Sequence, residues 1–143
     1  VPDRDPEVIV IPAAAVAVRY SVYVPIEPLP DEDYDDLSLQ LVVNAPTVPR
    51  VGEMLNFDGP GGRHLALTVT EVQHNFGCGP TSRIPNVYVT AELGNSPIDH
   101  RVARELLELV TFKRWLDAFP TLELPAHLRA AYELEMRTRN GSA

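Results

Sequence analysis

A chain of 143 residues with a 45% hydrophobic share is long enough for one compact core and too apolar to be disordered. A core of this size buries ~70% of the unfolded surface, so no metal or disulfide staple is needed; the single cysteine excludes an internal disulfide framework and a multi-cysteine zinc site. The net charge of −8 argues against a nonspecific binder of phosphate backbones, which requires a basic face, and direct nucleic-acid binding is not expected.

The acidity is concentrated early. Residues 1–49 carry two Arg against nine Asp and Glu, whereas residues 96–143 carry seven of each sign. The first apolar segment, Val8-Ile9-Val10-Ile11, is β-branched throughout and apolar on both faces. Such a segment is either a strand covered on two sides or an arm that pairs with another chain. The run it opens, to Val18, is interrupted by Pro12 and falls short of the ~20 residues of a membrane span. It also lacks a basic leader, so a soluble, cytoplasmic protein with no membrane partner is expected.

From Ala14 to Ile26 the even positions are apolar or aromatic while the odd ones include Arg19, Ser21 and Tyr23. That period of two predicts a long strand with one buried face. Leu37, Leu39, Leu41 and Val43 repeat the pattern, and Leu55 and Phe57 start a third strand that ends in the hairpin loop Asp58-Gly59-Pro60-Gly61-Gly62. On the return strand Leu65, Leu67 and Val69 share a face. Keeping that phase would turn Glu71 and Gln73 inward, so a β-bulge near Thr70–Glu71 is predicted, burying Val72, His74 and Phe76 instead. Val87, Val89, Ala91 and Leu93 form a last strand, with Tyr88, Thr90 and Glu92 facing outward.

At Asn95-Ser96-Pro97 a capping residue precedes a proline suited to the first helical position. Val102, Leu106, Leu109, Phe112, Leu116 and Phe119 then recur at three or four residues, predicting one amphipathic helix that Pro120 stops. A second helix from about Pro125 carries Glu133–Arg137 and Glu135–Arg139 pairs at i, i+4. The expected architecture is α+β in a single domain, residues 1–143, with strands first and helices last. An arm spans 1–13, a β-rich part 14–94, a helical part 95–139 and a frayed tail 140–143. The β-rich part is expected to be a strongly bent antiparallel sheet, or a small SH3- or OB-like barrel of five to six strands, with two helices packed on it. The cadence from Pro49 to Phe57 is that of such small barrels, which host many unrelated functions.

No nucleophile, base and orienting group fall at recognisable spacing, and no cofactor or metal site is predicted. His74 on the apolar face reads as a core histidine bonded to a backbone carbonyl. Cys78, between Gly77 and Gly79, has no basic neighbour in sequence to activate it. The pair Glu53 and Asp58 rests on residue type alone. Gly59 to His64 lacks the lysine and hydroxyl of a nucleotide loop and reads as a hairpin.

Three features point instead to a protein partner, either a second copy or another chain. The run Asp31-Glu32-Asp33-Tyr34-Asp35-Asp36 puts five carboxylates in six residues, suited to a basic surface, although a solvated loop or a cation site would use the same residues. The arm Val8–Ile11 offers a strand without an evident mate. Trp115, the single tryptophan, lies off the predicted stripe beside Lys113 and Arg114 and would serve as an interface anchor if partly exposed. The leading expectation is a non-enzymatic interaction or assembly protein, either an acidic inhibitor or decoy or a component of a larger particle. The alternatives are a small hydrolase using His74 or Cys78 with rim carboxylates, and a small-molecule-binding barrel.

Overall fold

Alternation in the sequence becomes alternation in burial. The computed structural model describes residues 18–31, 37–78 and 86–141. In β1 (Val18–Ile26), Tyr20, Val22, Val24 and Ile26 are buried, while Arg19 and Tyr23 on the opposite face are exposed. β2 (Leu37–Ala45) pairs antiparallel with β1 along its whole length. β3 (Met54–Asp58) and β4 (His64–His74) form the predicted hairpin, closed by a short 3-10 turn over Pro60–Gly62. β5 (Val87–Leu93) pairs antiparallel with β4 and parallel with β1, and β6 (Leu122–Glu123) adds two residues beside β2. The sheet order is β3-β4-β5-β1-β2-β6.

The architecture of the described residues is therefore mixed α+β, built on a strongly curled half-barrel sheet of six strands. Two details differ from the expectation. The β1–β5 pair is parallel, so the sheet is not purely antiparallel. The hydrogen-bonded order also ends at β3 and β6 without joining them, so the half-barrel stays open. Pro25 is accommodated because β5 reaches β1 only over Ser21–Tyr23, leaving that side of Pro25 without a strand that needs its missing N–H.

The bulge lies between Val69 and Glu71, where expected. It turns Val72 toward the inner face opposite Val89, but burial fades along the strand. Val72 is half-buried, His74 is exposed, and Phe76 is 89% exposed. The expectation of a buried His74 and Phe76 fails because the strand runs past the helical cover. Periodicity fixes a side chain's face, but the cover decides whether that face is dry.

The helical cover is broken where one helix was expected. α1 (Pro97–Glu105) ends at Leu106, and α2 (Leu109–Asp117) starts anew with Glu108 as its cap. The Glu108 carboxylate accepts the Thr111 backbone N–H at 2.7 Å and its hydroxyl at 2.6 Å, satisfying a donor that a continuous helix would have used internally. α2 buries Phe112, Trp115 and Leu116. α3 (Ala126–Gly141) has no buried residue; Leu128 and Tyr132 pack on the edge of the core, and Lys113 lies 5.4 Å from the Tyr132 ring centre. Among the described residues three α-helices thus stand where two were expected. The core is a single cluster between the inner sheet face and α1–α2, with Val24, Val89, Ala91 and Ala103 fully buried. Among the described residues, no helix is long and apolar enough to cross a membrane.

Candidate protein-binding face

Trp115 is core rather than rim. It is 2% exposed and donates its indole N–H to the Arg63 carbonyl at 2.8 Å. Its ring lies 4.9 Å from Phe119, 6.1 Å from Phe57 and 6.2 Å from Phe112, in an aromatic cluster. The condition of partial exposure is not met: Trp115 falls at i+3 from Phe112 and beside Leu116 on the buried face of α2, a place on the stripe that the sequence reading missed. Of the acidic run, Asp31 is exposed, while Glu32, Asp33, Asp35 and Asp36 lie outside the described residues, as do Val8, Ile9, Val10 and Ile11.

The residues weighed for chemistry are dispersed. His64 and His74 stand at opposite ends of β4, and both are exposed. The His64 ring meets Asp58 at 3.6 Å on an open surface. Glu53 instead holds the Arg50 backbone N–H at 2.5 Å, so Glu53 and Asp58 form no carboxylate pair. Cys78 is exposed. Among the described residues, no three His, Cys, Asp or Glu side chains gather as a metal site would require.

What the fold does assemble lies on the outer face of the sheet. A half-open groove of about 790 Å³ crosses β4, β5, β1 and β2 and ends against Pro125, Ala126 and His127 at the start of α3. Register explains its lining. Ser21 pairs with both Tyr88 and Val42, and Tyr23 pairs with Thr90 and Gln40. Side chains of paired residues share a face, so the two tyrosines fall on one diagonal of the β1–β5 pair and Ser21 and Thr90 on the other. Tyr23 is 38% and Tyr88 is 41% exposed. Val42 is buried at 3% exposure yet stands outside the core cluster, because it faces this groove and not the helices. The sequence placed Tyr23 and Tyr88 on outward positions but gave no sign that β5 inserts beside β1. Only strand order joins them.

One wall is pinned by an ionic cluster. Glu123 accepts the Asn44 amide at 2.8 Å and meets Arg19 at 3.5 Å and Arg129 at 3.3 Å. The Asn44 hydrogen bond, opposed by burial and helped by the two guanidinium groups, holds the Glu123 carboxyl below the usual glutamate range. Glu108 is likewise lowered, by its bonds from Thr111. A carboxyl whose folded pKa is depressed adds stability above its unfolded pKa of ~4.3 and loses it as pH falls through the lower folded value. Glu123→Gln is therefore expected to be less stable than wild type at pH 7, with the gap closing as pH falls below ~4, read from urea midpoints across pH. A gap independent of pH would remove Glu123 from the acid response.

No family model matches this chain, and neither a curated protein nor a solved structure matches it.

Proposed function

We propose that the protein is a non-enzymatic protein–protein interaction or assembly module that receives its partner on the outer face of the sheet. The observation that carries this reading is the division of the two sheet faces. The inner face is consumed by α1 and α2, while the outer face holds a groove with two half-exposed tyrosines on β1 and β5 and the buried Val42 beside them on β2. A buried apolar side chain beside aromatic and amide ones is the composition of interface centres, where tyrosine contributes contact area at low entropic cost.

The test compares proteins retained from native lysate by immobilised wild type, by the Tyr23→Ala/Tyr88→Ala variant and by Leu134→Ala, whose site is exposed on α3 and away from the groove. The reading expects specific partners lost with the tyrosines and kept with Leu134→Ala. Equal retention by all three, with each folded by circular dichroism, would contradict it.

Within this reading, Val8–Ile11 is the strand offered to another copy. β6 pairs only with Val42 and Val43, so the Leu37–Leu41 edge of β2 has no strand partner among the described residues, which supports strand addition there. Deleting residues 1–12 is then expected to lower the sedimentation mass. An unchanged mass contradicts this role for the arm. The acidic run Asp31–Asp36 is assigned to a basic surface, as an inhibitor or a particle component would use it. Changing Asp33, Asp35 and Asp36 to Asn should abolish salt-sensitive binding. Binding with the same salt dependence would leave the run only solvated.

A further inference from the structure

Resting on that reading, we infer that the groove recognises a proline-rich segment in the extended left-handed polyproline conformation, with an acidic residue at one end. Three observations converge on this ligand chemistry. The first is spacing. Adjacent strands lie ~4.8 Å apart and a strand rises ~3.3 Å per residue, so Tyr23 and Tyr88, on the diagonal of a parallel pair, stand roughly 8 Å apart at Cα. One turn of a polyproline helix advances ~9 Å, so a rib of prolines meets both tyrosines one turn apart. The small side chains Ser21 and Thr90 complete the slot between the rings.

The second is hydrogen-bond polarity. A proline-rich segment presents backbone carbonyls and few N–H groups. The groove answers with donors: the Tyr23 and Tyr88 hydroxyls and the amides of Gln40 and Gln73. Gln73 donates to the Asn75 side-chain oxygen at 3.0 Å and Gln40 to the Ser38 hydroxyl at 3.4 Å, so each of these primary amides keeps its second N–H for a ligand carbonyl. Among the described residues no carboxylate lines the groove, although the chain carries a net charge of −8.

The third is charge. The one arginine of the lining, Arg19, stands toward the wall that Glu123 and Arg129 pin at the start of α3. Arg19 is partly neutralised by Glu123, so the contribution is modest. It orients the ligand's acidic residue toward the α3 wall and makes binding salt-dependent.

The experiment titrates three fluorescein-labelled peptides against the full chain by fluorescence anisotropy: nonaproline ending in glutamate, nonaproline ending in arginine, and a glycine–serine decamer. The glutamate-ended peptide is expected to bind with Kd below about 1 mM, about threefold tighter than the arginine-ended one at low salt, with no saturable binding of the glycine–serine decamer. Tyr23→Ala and Tyr88→Ala should each weaken binding of the glutamate-ended peptide about tenfold. Tyr23→Phe and Tyr88→Phe should lose less, because the ring stays and the hydroxyl goes, and Leu134→Ala should change nothing. Absence of proline-peptide binding, or binding indifferent to both tyrosines, overturns the inference. Binding that appears only after residues 1–12 are deleted also overturns it, since the groove would then hold the chain's own segment. Saturable, tyrosine-dependent binding of maltohexaose in place of the peptides would assign the face to a glycan and overturn it as well. If the proline peptides fail while the tyrosine variant still loses its lysate partners, this inference falls and the interaction module stands. If both experiments fail, the module falls with it.

Discussion

Gly59→Ala is expected to lower the melting temperature by roughly 10 °C, corresponding to a loss of about 3 kcal/mol. The backbone at Gly59 is extended, so conformational freedom is not the issue. Space is. A Cβ there would lie 2.0 Å from the Trp115 indole nitrogen and 2.7 Å from the Arg63 carbonyl oxygen. The methyl would displace the indole from the bond it makes to that carbonyl, and from Phe57, Phe112 and Phe119 around it. Overpacking a filled core costs ~1–3 kcal/mol, and the lost buried hydrogen bond adds about 1 kcal/mol. Gly62 is the control. Its φ of +73° strains an L residue, but nothing lies within 4 Å, so Gly62→Ala should lose only about 1–2 kcal/mol. In a Trp115→Phe background the closest clash, with the indole nitrogen, is gone while that with the Arg63 carbonyl stays, so Gly59→Ala should become milder but still cost stability. Thermal denaturation of the four combinations measures this coupling. Additive losses would show that the hairpin and α2 are not locked as described.

Leu106→Ala is expected to cost about 3 kcal/mol, and Leu109→Ala less than half of that. Both leucines sit on the stripe a single uninterrupted helix would bury. The break at Leu106–Glu108 separates them: Leu106 is 1% exposed at the junction, whereas Leu109 is only half-buried at the first position of α2. Truncating the buried Leu106 side chain leaves a cavity that helices anchored on either side cannot close. Urea denaturation reads the two losses directly. Equal losses would restore the continuous helix. Glu108→Ala, which removes the cap, should lose about 1 kcal/mol by the same assay.

What could be read from the sequence was whatever depends on neighbours in the chain. Alternation located β1, β2, β4 and β5, the glycine-rich hairpin closed where Gly59–Gly62 stand, and the phase slip at Thr70–Glu71 marked a real bulge. Each is a local signal: a period, a turn chemistry, a change of parity. The helix break was less legible, since Leu106, Leu107, Leu109 and Val110 surround Glu108 and a wide apolar stripe hides a change of phase. β6 is only two residues long, too short for a period to register.

Trp115 and His74 failed in opposite directions: Trp115 was placed off a stripe to which its spacing from Phe112 and Leu116 assigns it, and His74 was given the right face but lies exposed. Periodicity says which face a side chain occupies, and only tertiary cover decides whether that face is dry. α2 brings Trp115 under cover, while β4 carries His74 beyond it. The groove was illegible for a topological reason. Tyr23 and Tyr88 lie far apart in sequence and become neighbours only because β5 inserts between β4 and β1, in parallel with β1. No spacing rule in a single sequence encodes that insertion.

The claim on which the functional account rests is that the outer sheet face is where this protein meets its partner. Site-specific photocrosslinking tests it most directly, with p-benzoylphenylalanine placed singly at positions 23, 88, 98 and 134 and irradiated in native lysate. All four sites carry exposed side chains, but Ile98 on α1 and Leu134 on α3 lie off the groove. The account predicts the same covalent protein adduct from positions 23 and 88 and none from 98 or 134. An adduct from 98 or 134 alone, with 23 and 88 silent, would contradict it.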